Sequence, residues 1–154
     1  MATFDEFYKS LDPDSGIRGK QFEKFVKWFL KTDPEWQSQV EEVWLWDEYP
    51  DRWGPDCGID LVFKHKNGKT WAVQSKCYSP EHDISKSEID SFLSESSDAR
   101  IDGRLLIAST DGIGRNALTI HITKIIASAE NPTFLTIDLD SSVIYCHLGR
   151  RGMS

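Results

Sequence analysis

The order of apolar and polar positions along the chain predicts alternating helices and strands. Between residues 17 and 31, Phe22, Phe25, Val26, Phe29 and Leu30 recur at helical spacing, a wide apolar stripe that predicts an amphipathic helix ended by Asp33-Pro34. Val40 to Trp46 alternates Val43 and Leu45 with Trp44 and Trp46, the two-residue period of a strand. Residues 47–56, with Pro50, Gly54 and Pro55, form an aromatic loop whose Tyr49 and Trp53 could stack on bases or cover the core. Two strands then flank a glycine turn, one entered through Gly58-Ile59-Asp60 and the other running from Trp71 to Lys76. Ser85 with Glu88 three residues later is a capping-box signature, opening a helix with Ile89, Phe92 and Leu93 inward. Leu105-Leu106-Ile107-Ala108 is a short continuous apolar run, as in a buried parallel strand. Asp111 to Gly114 reads as a turn, and Arg115 to Ser128, with Ala117, Leu118, Ile122, Ile125 and Ile126 at helical spacing, as a helix. Beyond Asn131-Pro132, Phe134 to Ile137 is a strand, and Val143 to Leu148 is an edge strand or the start of a connection. This order predicts an α/β fold, a mixed central sheet flanked by helices.

The register of the hairpin decides which side chains share a face, because a slip of one residue moves every side chain to the other face. A two-residue Asn67-Gly68 turn would set Leu61 against Gln74 and Asp60 against Ser75. A three-residue loop, Lys66-Asn67-Gly68 with Gly68 in the left-handed region, sets Leu61 against Val73, Val62 against Ala72 and Phe63 against Trp71. The apolar pairs favour the three-residue loop, which also pairs Asp60 with Gln74 and brings Lys76 to the same patch.

Composition narrows the class. At 154 residues the chain has the size of one domain, and 39% hydrophobic with 28% charged residues suits an ordinary globular protein. The opening residues contain no secretory signal and no run approaches the length of a membrane span, so a cytoplasmic setting is expected. Three cysteines, Cys57, Cys77 and Cys146, form neither an even framework nor a CxxC pair, and the four histidines show no zinc-ligand spacing. A net charge of −7 argues against strong intrinsic affinity for nucleic acid, although Lys64, Lys66, Lys69, Lys76 and Lys86 crowd the hairpin and the next helix.

Asp60, Gln74 and Lys76 together have the chemistry of a hard-cation site. Mg²⁺ wants oxygen ligands, which Asp60 supplies, while Lys76 can orient or deprotonate an attacking water and balance charge growing on phosphoryl oxygens. The alternative is a cross-strand ion pair at the rim of a sheet. Glu23 likewise reads either as a further acid or as the partner of Lys27 in an i, i+4 surface pair. Asp56 is a spare acid more at home in the turn before Gly58. Lys86 opposes the dipole of its helix, which contact with a phosphate would explain, as would simple solvation; with Tyr78 it is a candidate substrate contact.

Asp56-Cys57-Gly58-Ile59-Asp60 followed by Val73-Gln74-Ser75-Lys76, with Gly19-Lys20-Gln21-Phe22-Glu23 upstream, resembles the Mrr-like branch of the PD-(D/E)xK nucleases. Trp46 to Trp53, Gly58 to Val62, Trp71 to Tyr78 and Asp90 to Ser94 resemble more closely the N-terminal nuclease domain of type ISP restriction-modification enzymes. The resemblance implies a restriction-endonuclease-like fold over residues 1–154 as one nuclease domain of a longer enzyme. It implies Mg²⁺ (Mn²⁺ as substitute) held by Asp60, Gln74, Glu23 and the backbone carbonyl of Ser75, with Lys76 catalytic. It further implies double-stranded DNA as substrate, cut to 5′-phosphate and 3′-hydroxyl ends, and a downstream helicase-like translocase, methyltransferase and target-recognition domain. Gln74 departs from the wider superfamily, which has an acid there, so an inactive nuclease-like docking module stands as the alternative. A junction resolvase or an RNA nuclease would keep the chemistry and change the substrate.

Overall fold

The computed structural model describes residues 4–55, 58–78 and 84–109, and by their backbone alone the strands within 122–127, 135–139 and 143–147. The elements in chain order are α1 (Phe4–Ser10), α2 (Ser15–Thr32), α3 (Pro34–Gln37), β1 (Val40–Leu45), a 3-10 turn (Trp46–Glu48), β2 (Leu61–His65), β3 (Thr70–Lys76), α4 (Lys86–Glu95), β4 (Gly103–Ala108), β5 (Ile122–Ala127), β6 (Leu135–Leu139) and β7 (Val143–His147). One sheet runs in the order β1-β2-β3-β4-β7-β6-β5. It is mixed: β1, β2 and β3 pair antiparallel, β3 with β4 and β4 with β7 parallel, and β7, β6 and β5 antiparallel again. The predicted α/β class and its mixed sheet hold.

Local signals explain the helices. Asp14 caps α2, its carboxylate accepting from the backbone N–H of Gly16 and Ile17 at 3.0 Å each. At the other end Asp33, extended ahead of Pro34, is the C-cap, its N–H donating to the Phe29 carbonyl. The buried residues of α2 are Phe22, Val26, Phe29 and Leu30, the predicted stripe, while Trp28 points out, 58% exposed. For α4 the capping box is present as read: Ser85 Oγ accepts from Glu88 N, and the Glu88 carboxylate accepts from Ser85 N at 2.7 Å.

Two apolar layers sandwich the sheet. On one side Phe22, Val26 and Leu30 of α2 meet Leu61, Phe63, Val73, Leu105 and Ile107. On the other, Ile89 and Phe92 of α4 meet Trp46, Tyr49, Ile59, Val62, Ala72 and Leu106. The aromatic loop belongs to this second layer: Tyr49 is buried beside Trp44 and Trp46, and Trp53 lies edge-on to Trp46 at 5.0 Å and beneath the Arg100 guanidinium at 4.1 Å. Its rings cover the core.

The hairpin takes the three-residue loop. Leu61 faces Val73, Val62 faces Ala72 and Phe63 faces Trp71, the Phe63 and Trp71 rings stacked at 5.6 Å, and Gly68 has φ +91°. Two expectations need correcting. The segment within Arg115–Ser128 expected to be helical contains β5; Ile122, Thr123, Ile125 and Ile126 are β-branched, and an antiparallel partner in β6 outweighs a helical spacing the apolar positions also happen to fit. Val143–His147 is no edge, for β7 lies between β4 and β6. Asp56, Cys57, the turn at Asp111 to Gly114 and Asn131-Pro132 lie outside the described residues. Among the described residues no helix is long and apolar enough to cross a membrane.

Phe22 and Phe92 are fully buried on opposite faces of the sheet. Truncation of either to Ala is expected to lower unfolding free energy by about 3–5 kcal/mol. Gly68→Ala, with nothing within 4 Å of the new methyl but φ at +91°, is expected to cost roughly 1 kcal/mol of backbone strain. Urea titrations with unchanged m-values would check the ranking.

Candidate active site

Asp60 lies where β2 begins, fixed by hydrogen bonds of both its backbone and its carboxylate. Its carbonyl accepts from Trp46 N at 2.9 Å, its N–H donates to the Val73 carbonyl at 3.0 Å, and its carboxylate accepts from Ser75 N at 2.9 Å. The regular ladder, Leu61 with Val73, therefore does not continue to Asp60 with Gln74 as the sequence suggested. Gly58, at φ +75°, turns the chain just before, so Asp60 meets Val73 through its backbone and Ser75 through its side chain. The carboxylate replaces the backbone acceptor that Ser75 would find in a longer β2.

This placement brings Asp60 to Glu23 of α2, and the two carboxyls share a hydrogen bond. Glu23 is pushed up from 4.5 to about 7, first by burial and then by the negative charge of Asp60. Asp60 is also raised, chiefly by burial, while the Ser75 N–H and the charge of Lys76 pull the other way. The shared proton belongs to Glu23, with Asp60 as acceptor. Lys20 lies 3.4 Å from Glu23, its own pKa raised first by Glu23 and then, more weakly, by Asp47 and Asp60. The anticipated Glu23 and Lys27 pair does not form; Lys27 reaches Glu48 at 2.8 Å instead.

These groups line one cleft of about 460 Å³, bounded by Lys20, Glu23 and Lys24 of α2, by Trp46, Asp47 and Pro55 of the aromatic loop, and by Ile59 and Asp60. Sequence reasoning missed Lys20, Lys24 and Asp47 as members of this cleft. The signal for Lys20 and Lys24 was there, since both lie within one helical turn of Glu23.

Gln74 and Lys76 lie on β3, with Ala72, on the α4 face by alternation. Lys76 is half-buried and its charge favours ionised Asp60. Gln74 is buried, donating from Nε2 to the Gly58 carbonyl at 3.2 Å, while its Oε1 has no hydrogen-bond partner. Further along, the Tyr78 hydroxyl donates to Glu88, and Lys86 pairs with Asp90. Both candidate substrate contacts are thus engaged by α4 itself. Cys77 is a half-buried thiol with its pKa raised by burial, as an unreactive cysteine should have.

The donor set suits a hard divalent cation. Two adjacent carboxyls holding a proton between them in a partly buried cleft can exchange it for a cation. Gln74 and Lys76 are not among the residues that line this cleft, and the partnerless Gln74 Oε1 is buried. Among the described residues no three His, Cys, Asp or Glu side chains come together: of the acids lining the cleft, Glu23 and Asp60 are paired and Asp47 is not clustered with them.

The raised Glu23 has a consequence for stability that can be measured. A carboxyl whose folded pKa lies above its unfolded value stabilises the fold at low pH and loses that contribution as pH rises, here between 4.5 and about 7. In EDTA, thermal stability attributable to this pair is expected to fall across that window, and Glu23→Gln is expected to flatten the slope. Melting curves of the two proteins from pH 5 to pH 8 check it; parallel pH profiles would remove Glu23 as the cause.

A family model described as a restriction endonuclease, of the Mrr catalytic type, matches residues 31–143, a span that holds Asp60, Gln74, Ser75 and Lys76 but not Glu23. No curated protein matches the chain. Among solved structures, the ATP-dependent type ISP restriction-modification enzyme LlaBIII bound to DNA is similar with a TM-score of 0.62 and 31% identity, over 77% of this chain and 7% of that one. The MspJI restriction endonuclease in complex with a 27-mer oligonucleotide aligns over 91% of this chain and 31% of that one, at 16% identity and a TM-score of 0.41. The family match covers well over half of the sequence and the fold agrees with the matched part of LlaBIII: the chain belongs to the Mrr-type restriction endonuclease family.

Proposed function

We propose that this domain is a Mg²⁺-dependent endonuclease that hydrolyses phosphodiester bonds of double-stranded DNA, with Mn²⁺ able to substitute. The observation that carries the reading is the desolvated carboxyl pair of Glu23 and Asp60 in a cleft rimmed by lysines. In this reading Asp60 and Glu23 hold the cation, and the Gln74 amide oxygen and the Ser75 carbonyl are further donors. Bound there, Mg²⁺ supplies a Lewis acid and a counter-charge for the scissile phosphate. Lys76, as the ammonium, orients the attacking water and balances the charge growing on the phosphoryl oxygens, while the proton of the water passes to solvent. Water attacks phosphorus in line with the 3′ oxygen, the P–O3′ bond breaks, and solvent protonates the leaving oxygen, giving a 5′-phosphate and a 3′-hydroxyl. Lys20 and Lys24 bind flanking phosphates, and Lys86 and Tyr78 would do so only by leaving Asp90 and Glu88.

The same reading makes residues 1–154 the nuclease module of a longer cytoplasmic enzyme that carries a helicase-like translocase, a methyltransferase and a target-recognition domain. The chain spans 7% of LlaBIII, and its charge of −7 leaves little affinity for DNA of its own. A second reading, a nuclease-like docking module that does not cut, is favoured by the neutral Gln74 at a position where the wider superfamily has an acid.

Plasmid nicking separates the two. With Mg²⁺ the wild-type domain is expected to nick supercoiled DNA, and Asp60→Asn and Lys76→Ala are each expected to slow nicking by about 10²-fold or more. Nicking that survives either change rejects the assignment. A rise in melting temperature with millimolar Mn²⁺, lost in Asp60→Asn, is expected for the nuclease and not for the docking module.

A further inference from the structure

α2 is the basic element of an acidic chain. Within Ser15–Thr32 it carries Arg18, Lys20, Lys24, Lys27 and Lys31 against one acid, Glu23, whereas the whole chain has a net charge of −7. Its inner face is buried against the sheet through Phe22, Val26 and Leu30. On its outer face Lys24, Trp28 and Lys31, all exposed, follow one another at i, i+4 and i+7, a single line along the helix. Lys24 at the head of this line also lines the Glu23 and Asp60 cleft. Lys27 is taken up by Glu48 at 2.8 Å. Trp28 is 58% exposed and belongs to neither apolar layer. Its indole leans on Phe25 at 5.8 Å, and Phe25 is stacked on Phe7 of α1 at 4.3 Å, so a shelf of rings holds the indole and leaves the rest of it to solvent.

We propose that Lys24, Trp28 and Lys31 on the outer face of α2 bind a single-stranded stretch of DNA and lead it to the Glu23 and Asp60 cleft. The proposal rests on the reading of that cleft as a DNA nuclease, and it narrows the substrate to a duplex with an unpaired stretch beside the scissile phosphate. Along the helix axis the ammoniums flank the indole at about 6 Å and about 4.5 Å. Phosphates meet the ammoniums while an unstacked base lies on the ring. A uniform duplex offers only the first contact, because its bases are stacked on one another. A protein partner fits less well. The other large apolar side chain exposed among the described residues, Ile17, lies roughly 16 Å away along α2, and covering both would strip water from Lys24 between them. A second cleft of about 570 Å³ begins at Lys27 and Lys31, but it is lined also by Glu41, Glu42 and Glu48, whose charges turn a polyanion away and keep the strand on the helix face.

The test uses the whole 154-residue domain in EDTA at low salt. The probes are a labelled oligodeoxythymidylate and the duplex it forms with its complement, read by fluorescence anisotropy. The wild type is expected to bind the single strand more tightly than the duplex. Trp28→Ala, at an exposed side chain, is expected to stay folded and to weaken single-strand binding about tenfold with little effect on the duplex, and Trp28→Tyr, which keeps a stacking face, to recover most of the loss. Lys31→Gln is expected to reduce the slope of log affinity against log salt by about 0.7. Single-strand binding by Trp28→Ala equal to the wild type overturns the proposal and leaves the ring to a protein partner. An equal loss on the duplex overturns it too, as does a wild type that binds the single strand no better than the duplex. Because no metal is present, the result stands apart from the cation site. If Asp60→Asn nicks plasmid like the wild type while Trp28→Ala still loses the single strand, the cleavage reading falls and the strand-binding face remains.

Discussion

The position of Asp60 rests on one unfulfilled backbone bond. β3 runs on to Lys76, but β2 begins only at Leu61, so the N–H of Ser75 has no strand carbonyl opposite it. The Asp60 carboxylate takes that place at 2.9 Å. A buried N–H without a partner costs roughly 1–3 kcal/mol, so the fold itself holds this carboxylate in the cleft, whatever else the cleft does. Because the Asp60 backbone is also tied to Trp46 on one side and Val73 on the other, the carboxylate has little freedom to swing away from Glu23.

Holding Asp60 there creates an unfavourable neighbour for Glu23. Side chains free to move would separate two acids, and a surface helix would turn Glu23 outward; here burial and Asp60 together leave Glu23 holding a proton near neutrality. Nothing in the packing of α2 against the sheet requires an acid at this position, since Phe22 and Val26 do the apolar work around it. The pair is a cost to the metal-free fold, and such costs are concentrated at sites that act on something. Lys20 offsets part of it from solvent, where a screened ion pair contributes little.

Much of this was legible in the chain because several local rules pointed the same way. The pairings of Leu61 with Val73 and Phe63 with Trp71 were readable from the apolar pattern, since the two-residue turn would have faced Leu61 with Gln74. The capping box at Ser85 and the stripe of α2 were readable for the same reason. The true neighbour of Asp60 was not. Strict alternation pairs it with Gln74, and the departure depends on Gly58 at φ +75°, a backbone state that glycine permits but does not announce. The residues around Ile122 misled because a β-branched run at helical spacing satisfies two patterns, and only β6, distant in sequence, decides between them.

The amide at position 74 follows from the turn at Gly58. Gln74 donates from Nε2 to the Gly58 carbonyl at 3.2 Å, a bond that an ionised glutamate of the same shape could not make, since two buried acceptors would then face each other. Pinned at its nitrogen by the Gly58 carbonyl, the buried Gln74 side chain has its orientation set by the fold. The glycine that redirects Asp60 toward Glu23 thus also orients Gln74, and one turn governs both side chains.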